Sequence, residues 1–171
     1  VSPQTRDRVL QACRSLNYVP NAAARALSTA KSRTVAILIP SIEHSIYAKT
    51  VAAIEETLAE RDYALVLAVT RFDPDAELVA ARKLLGMGAQ GMILSGAAHD
   101  KALYDLLETR AVPVLVTSVW DSNSPLPTVG YDNAALARDA MAYLRGQGHR
   151  RIAVLHGPAD DNDRTRARKA G

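Results

Sequence analysis

The chain has 171 residues, of which 48% are hydrophobic and 23% are charged, and its formal net charge is +3. This composition is ordinary for a globular protein, and no apolar run reaches the roughly 18 residues that a membrane-spanning helix requires. A single cysteine, Cys13, excludes an internal disulfide framework and a multi-cysteine metal cluster, which fits a reducing cytosol.

The positive charge is concentrated at the start of the chain. Residues 1–33 carry six basic side chains and one acidic side chain, Asp7, whereas residues 34–171 carry two more acidic than basic groups. Such a basic segment is typical of a surface that meets a polyanion, and it is equally typical of a solvated helix face. Charge alone leaves these two interpretations open.

Two helices are predicted in the basic segment. Ser2 and Pro3 suit the N-cap and the first position of a helix that runs to about Leu16. Residues 18–20, Tyr-Val-Pro, are expected to be extended, because a residue before proline is disfavoured in a helix. Asn21 then suits the cap of a second, Ala-rich helix that ends at about Thr29.

From Thr34 onward, strands alternate with helices. Apolar runs predict strands at 34–39, 63–69, 91–95, 112–117, 127–131 and 151–155, and periodicity predicts helices at about 46–61, 75–86, 101–109 and 133–146. Continuous apolar strands such as residues 64–69 indicate burial on both faces, hence a parallel sheet. The pattern predicts an open, doubly wound α/β sheet, whose ligands lie beyond the carboxyl ends of the strands.

The segment after Asn133 holds a helix, a strand and a helical start at Arg164, which is too little for a core of its own. The short basic helix at the start cannot form a core by itself either. We therefore expect this chain to be an internal piece of a longer protein.

Motifs for catalysis or cofactors are weak. Gly86 to Gly91 match G-x-G-x-x-G, but the match closes a helix and leads into a strand, whereas a dinucleotide motif follows a strand and opens a helix. Helix-ending glycines explain it better, and no NAD site is predicted. The four histidines lack metal-ligand spacing, and no nucleophile elbow or P-loop is present. We predict no enzyme activity, no cofactor and no metal.

The second helix offers a more specific hypothesis. Leu27 lies in a nearly neutral, alanine-rich surface, where it suits an apolar wedge inserted between base steps of a minor groove. Arg25 and Lys31 would then meet phosphates. A linker helix that packs Leu27 against its own domain explains the spacing equally well.

Motifs along the whole chain resemble the lac-repressor family of bacterial transcription regulators. Val1-Ser2-Pro3-x-Thr5-Arg6 is similar to the third helix of that family's DNA-binding headpiece, and Leu16-Asn17-Tyr18-x-Pro20-Asn21-x-x-Ala24-Arg25-x-Leu27 is similar to its hinge. The same order continues through Val129-x-x-Asp132-Asn133, Gly148-His149-Arg150-Arg151-Ile152, Gly157-Pro158 and Arg168-x-x-Gly171.

The resemblance implies a periplasmic-binding-protein-like doubly wound sheet, preceded by the last helix of a helix-turn-helix headpiece and by a hinge helix. It divides the chain into four parts: residues 1–17 end the headpiece, 18–33 form hinge and linker, 34–132 form the N-terminal effector-binding subdomain, and 133–171 begin the C-terminal one. The two helices before Val1, including the recognition helix, and most of the second subdomain would lie outside this chain.

The resemblance also implies site residues. For DNA they are Ser2, Thr5, Tyr18, Asn21, Arg25 and Leu27, with Asn21 as the cap of the hinge helix and Leu27 as the wedge. For a small effector they are Ile46, Tyr47, Ser95, Ser118, Asp121 and Arg168. Tyr47 either stacks on a sugar ring or packs in the core. At Ser118 many members carry an acid, and here the nearest acid is Asp121, beside Trp120, a pair similar to that of members that answer to sugar acids such as gluconate.

These implications predict a cytoplasmic, homodimeric repressor, without catalytic activity and without a membrane segment, whose affinity for operator DNA is set by a sugar or sugar acid. The alternative is a periplasmic-type sugar-binding protein without DNA binding, against which the basic hinge and the lack of an apolar leader argue. A sugar-processing enzyme on the same fold is a third possibility, but the sequence offers no nucleophile and base for it.

Overall fold

The computed structural model describes residues 2–19, 21–29, 31–160 and 162–171. In the second helix, the side chains of residues 22, 23, 25 and 27 lie outside that description. The chain divides into two compact units, Val1–Ser32 and Arg33–Gly171, which are taken separately below. The predicted boundary between the two effector-binding subdomains, at residues 132 and 133, falls inside the second unit.

The first unit holds two helices, α1 (Pro3–Ser15) and α2 (Ala22–Thr29), as predicted. The Ser2 hydroxyl caps α1 by accepting a hydrogen bond from the Thr5 N–H at 3.3 Å, with Pro3 in the first turn. Asn21 caps α2 in the same way, because its Oδ1 accepts from the Ala24 N–H at 3.2 Å. Helix α1 buries none of its residues, so its cap and its hydrogen bonds define it more than packing does.

The second unit contains a parallel five-stranded sheet in the order β2-β1-β3-β4-β5. Its strands are β1 (Thr34–Ile39), β2 (Ala64–Val69), β3 (Gly91–Ser95), β4 (Val114–Thr117) and β5 (Thr128–Val129). The connecting helices are α3 (Ser45–Ala59), α4 (Pro74–Gly86) and α5 (Lys101–Thr109), followed by α6 (Asn133–Gly146) and α7 (Asp163–Ala170). The predicted doubly wound parallel sheet is confirmed.

Alternate residues of each central strand pack on opposite faces of the sheet, because side chains along a strand alternate in direction. One core joins Leu38, Met92 and Leu94 to α4 and α5, through residues such as Leu84 and Leu103. The other core joins Ile37, Ile39 and Ile93, with Tyr47, Val51 and Ile54 of α3 packed against them. Helices therefore cover the sheet on both faces.

Helix starts and ends follow local chemistry. Side-chain oxygens of Asp73, Asp100 and Asp132 cap α4, α5 and α6, and Asn162 caps α7. The glycine-rich run after α4 ends that helix, as predicted: Gly88 has φ +96°, and the chain then enters β3 at Gly91. Within the described residues, no helix is both long enough and apolar enough to cross a membrane.

The predicted strand at residues 151–155 is wrong. Residues 151–159 form neither helix nor strand, and Val154 and Leu155 are 65% and 100% exposed. A strand needs a neighbour to accept and donate its backbone hydrogen bonds. The described strands all belong to the sheet β2-β1-β3-β4-β5, and the apolar run at 152–155 pairs with none of them.

Candidate effector site at the carboxyl edge of the sheet

The carboxyl ends of parallel strands lie along one edge of the sheet, and this edge collects most of the predicted effector residues. The strand order places β1 and β3 side by side, while the chain leaves β1 for β2 on one side and continues from β3 to β4 on the other. This is the topological switch point, where α/β sheets open a crevice for ligands. Ile46, Ser95 and Ser118 follow or end β1, β3 and β4.

Asn133 connects two of the predicted residues, Ser118 and Arg168. It is 4% exposed, at the first position of α6. Its Nδ2 donates to the carbonyl oxygens of Ser118 at 3.1 Å and Tyr131 at 3.3 Å. Its Oδ1 accepts from the Nε of Arg168 at 2.8 Å. The Arg168 guanidinium is thereby fixed beside the end of β4.

The motif Arg168-x-x-Gly171 rests on the start of α6. While Arg168 bonds to Asn133, Gly171 lies so close to Ala134 that a Cβ at this glycine would overlap the Ala134 carbonyl oxygen. Glycine is therefore required here by the close approach of two backbones. The spacing of the motif sets both contacts at once, which explains why α7 seats on α6.

Ser95 ends β3 with a buried hydroxyl that lacks a hydrogen-bond partner within the described part of the chain. A buried polar group without a partner costs free energy, so such a group in a structure calls for an explanation. A ligand oxygen at this candidate edge would supply the partner that the Ser95 hydroxyl lacks. The structure thus gives Ser95 a feature that the sequence could not show.

Ile46 and Tyr47 lie in the first turn of α3, directly after β1. Ile46 is 64% exposed, whereas Tyr47 is half-buried and packs against the core of Ile37, Ile39 and Ile93. Of the two roles foreseen for Tyr47, the packing role is therefore present in the structure. Ile46 offers an exposed apolar surface at the same edge.

Asp121 lies in the loop between β4 and β5, where its hydrogen bonds are local. Its Oδ1 accepts from the Asn123 N–H at 2.8 Å, and its backbone N–H lies 3.4 Å from the Thr128 hydroxyl. An aspartate that accepts from the backbone two residues on forms an Asx turn. Asp121 thus shapes the loop between β4 and β5, and its role toward a ligand stays a prediction.

A second polar cluster was missed by the sequence reasoning. The Asp163 carboxylate accepts from the Ala97 N–H at 2.8 Å and pairs with Arg164 at 3.1 Å. Arg164 is 4% exposed and lies over Gly96, whose φ is +90°. These contacts tie the loop after β3 to the first turn of α7.

The buried side chain of His99 contacts the same loop. His99 Nε2 lies 2.9 Å from the Gly96 carbonyl oxygen, to which it donates, and its Nδ1 lies 2.8 Å from a Glu77 carboxylate oxygen. The Tyr104 hydroxyl donates to the Ala97 carbonyl oxygen at 2.8 Å. Burial first, and then the carboxylates of Asp163 and Glu77, raise the pKa of Tyr104. Nothing in the sequence pattern singled out these residues, because they are far apart along the chain.

A groove of about 850 Å³ lies between α6, α7 and residues 152–157. Its lining is mostly apolar and includes Met141, Leu144 and the exposed Leu155, together with Arg168 of the candidate site. It borders residues 152–155, which pair with none of the described strands. The candidate effector site is the polar edge, where hydrogen-bonding groups converge.

The residues predicted for DNA binding lie in the first unit. Ser2 and Thr5 share the start of α1, with their hydroxyl oxygens 2.9 Å apart, and Tyr18 is 59% exposed after that helix. Asn21 caps α2. Arg25 and Leu27 occupy backbone positions in α2, and their side chains lie outside the described residues, so the wedge stays a prediction.

Comparisons with known proteins agree with this architecture. The family model described as periplasmic binding proteins and sugar binding domain of LacI family matches residues 32–171. Catabolite control protein A of Priestia megaterium is 31% identical over 161 residues, which is 94% of this chain and 48% of that protein. The chain spans about half the length of the curated relatives that it matches.

Solved structures show the same likeness. A LacI-family transcriptional regulator from Silicibacter pomeroyi superposes with a TM-score of 0.86 at 28% identity, over 99% of this chain and 51% of that one. The lac repressor dimer bound to operator and the anti-inducer ONPF gives a TM-score of 0.84 at 26% identity, over 100% of this chain and 52% of that one.

Proposed function

The chain belongs to the family of periplasmic binding proteins and sugar-binding domains of LacI-type regulators. We propose that it is the part of a transcriptional repressor that holds the end of the DNA-binding headpiece, the hinge, the first effector subdomain and the start of the second. The observation that carries this proposal is the pairing of a separate basic helical unit, Val1–Ser32, with a sheet unit that matches the family model. A protein that only binds sugar does not require a basic helical unit before the sheet.

The mechanism couples two sites. A small effector, a sugar or sugar acid, binds at the carboxyl edge near Ser95, Ser118 and Arg168, with Ile46, Tyr47 and Asp121 around it. Closure of the two subdomains on the effector changes the spacing of paired α2 helices in a homodimer. Such coupling requires that the effector bind the two conformations with unequal affinity.

At the DNA, the six predicted residues divide the contacts among them. Ser2, Thr5 and Tyr18 hydrogen-bond to the sugar-phosphate backbone, and Arg25 neutralises phosphate charge. Asn21 keeps α2 helical through its cap. Leu27 enters the minor groove as an apolar wedge. We assign no catalytic step to the protein, and a DNA-binding role places it in the cytoplasm.

The proposal is tested by replacing Leu27 in the full-length protein, with operator DNA selected from a random library. Leu27→Ala should weaken operator binding at least about tenfold, because the wedge offsets an unstacking cost of a few kcal/mol. Effector affinity should stay unchanged. The control is Val79→Ala, a similar truncation at a residue of α4 that is 66% exposed in the second unit.

Salt dependence separates the repressor from a periplasmic-type sugar-binding protein, which the family model also includes. Operator affinity should fall steeply with salt, by a slope of roughly 0.9 per phosphate neutralised, whereas sugar affinity should hardly change. A full-length protein that binds sugar but shows no salt-sensitive DNA binding would leave the sugar-binding protein as the better description.

A further inference from the structure

Arg164 is a buried cation at the carboxyl end of β3, and the proposed function does not use it. Although it lies in the first turn of α7, its side chain is only 5% exposed. Its guanidinium lies against the backbone of Gly96, where any Cβ would overlap the Nη1 atom. Glycine at position 96 thus makes room for this arginine, directly after Ser95.

The guanidinium has more bonding capacity than the protein uses. Arginine carries five N–H donors in a planar fork that matches a carboxylate in two parallel bonds. Within the described residues, Arg164 has one ion pair, between Nη1 and an Asp163 carboxylate oxygen at 3.1 Å. The other oxygen of Asp163 is taken by the Ala97 N–H. Because Asp163 contacts the Arg164 guanidinium through one oxygen, the other N–H groups of that guanidinium can bind a second acceptor.

The neighbouring Ser95 hydroxyl is an independent sign of a ligand. It is buried and has no hydrogen-bond partner among the described residues. A hydroxyl can donate to an oxygen that the arginine also binds. Two adjacent residues at the end of β3 therefore carry these features. Ser95 has a hydroxyl without a partner in the described residues, and Gly96 contacts the buried guanidinium of Arg164.

Arg168 extends the same surface by one helical turn. Residues four apart share a face of a helix, so Arg164 and Arg168 lie on one side of α7. Arg164 contacts the end of β3 at Gly96, and Arg168 is fixed through Asn133 beside the end of β4 at Ser118. Two guanidinium groups thus border the proposed effector site. Within the described residues, Arg164 pairs with the Asp163 carboxylate and Arg168 bonds to the neutral amide of Asn133.

We propose that Arg164 binds a carboxylate of the effector, with the Ser95 hydroxyl donating to the same group, so that the effector is a hydroxy acid and not a neutral sugar. This inference rests on the proposed function and narrows its effector class. A carboxylate fits this position better than a phosphate does. The Asp163 carboxylate already contacts both Arg164 and the Ala97 N–H, so the local geometry suits that group. Arg168, held by Asn133, is left for the hydroxyl groups.

The test uses the smallest matched pair of probes, glycerate and glycerol, which differ only in a carboxylate, with glycerol phosphate as the third arm. Each is titrated to about 10 mM into the ¹⁵N-labelled full-length protein, well above the roughly millimolar Kd that a small ligand can reach. The arginine Nε–Hε signals are followed by NMR. The signal lost in Arg164→Gln identifies Arg164, and that of Arg168 reports on the rest of the site.

Glycerate should shift the Arg164 signal saturably, and glycerol should not. Arg164→Gln should remove the glycerate shift at Arg168, and Ser95→Ala, which leaves the buried guanidinium in place, should weaken glycerate binding at least threefold. Arg166→Gln is the matched control, since Arg166 lies on the same helix and bonds to the carbonyl oxygens of Ala159 and Asp160.

Equal shifts with glycerol, no shift with glycerate, tighter binding of glycerol phosphate, or glycerate binding that survives Arg164→Gln would each overturn the carboxylate assignment. A purely structural Arg164–Asp163 pair predicts the second of these outcomes. Failure of the proposed function shows differently: glycerate still binds at Arg164, but the full-length protein binds no operator DNA.

Discussion

Replacing Asn133 tests whether the carboxyl edge is held together as described. Its side chain makes three hydrogen bonds, two as donor to the carbonyl oxygens of Ser118 and Tyr131 and one as acceptor from Arg168. The variant Asn133→Ala removes all three and leaves two carbonyl groups without this donor. Because the residue is 4% exposed, water replaces these bonds poorly.

The magnitude follows from those bonds. A typical net contribution is about 1 kcal/mol for each hydrogen bond, and the bond to the exposed Arg168 is counted no higher because solvent screens its charge. Alanine returns about 0.5 kcal/mol through its better helix propensity at the start of α6. The expected loss in the free energy of unfolding is therefore about 2.5 kcal/mol, or roughly 5 to 10 °C in Tm for a domain of this size.

Urea unfolding followed by tryptophan fluorescence measures this loss. Trp120 is the single tryptophan of the chain, and its backbone N–H donates to the same Tyr131 carbonyl oxygen that Asn133 contacts. The matched variant Asn133→Asp keeps the acceptor for Arg168 but turns a carboxylate oxygen toward the carbonyl oxygens of Ser118 and Tyr131, so it should lose at least as much stability as Asn133→Ala. If Asn133→Ala lowers the free energy of unfolding by less than about 1 kcal/mol, with an unchanged m-value, the three hydrogen bonds of Asn133 do not hold this edge together.

Three further outcomes are expected. Gly96→Ala should cost about 2 to 4 kcal/mol in urea unfolding, because φ is +90° and the Cβ overlaps Arg164; a cost within 0.5 kcal/mol would contradict the close approach. The pKa of Tyr104 is raised, so the stabilising contribution of this side chain is complete below about pH 10 and is lost as pH rises through the folded-state pKa. The difference between the absorbance titrations of wild type and Tyr104→Phe should show the Tyr104 tyrosinate forming above about pH 10. Ionisation at or below about pH 10 would be inconsistent with the burial of this tyrosine. Leu94→Ala should cost about 3 kcal/mol, since Leu94 is 0% exposed in the core, whereas the exposed Val79→Ala should stay within about 0.5 kcal/mol; equal costs would show that the core is misplaced.

Local signals predicted most of the elements. Asn21 caps α2 and Ser2 caps α1 as expected, since capping depends on a hydroxyl or amide within three residues of the N–H that it bonds. The glycine run at 86–91 ends a helix, because Gly88 adopts a positive φ. These features need no distant partner, so the sequence alone is sufficient to predict them.

The strand expected at 151–155 shows where such signals fail. An apolar run of strand length predicts only that a segment tends to be extended. Pairing depends on where the tertiary structure places the segment, and residues 151–155 pair with none of the described strands. The ligand role of Asp121 stays a prediction for a related reason. Its proximity to Ser118 along the chain suggested a ligand role, while its carboxylate is engaged by the Asn123 N–H.

The sequence by itself determined the order of strands and helices, the doubly wound class, the basic first unit and the family likeness, because each depends on residue type and on spacing along the chain. Only the tertiary structure decided which polar groups meet at the carboxyl edge. Asn133 reaches Arg168 across 35 residues, and Asp163 reaches Ala97 across 66. Contacts of that range are fixed by how α7 seats on α6 and on the end of β3, and no local pattern encodes a burial such as that of Arg164.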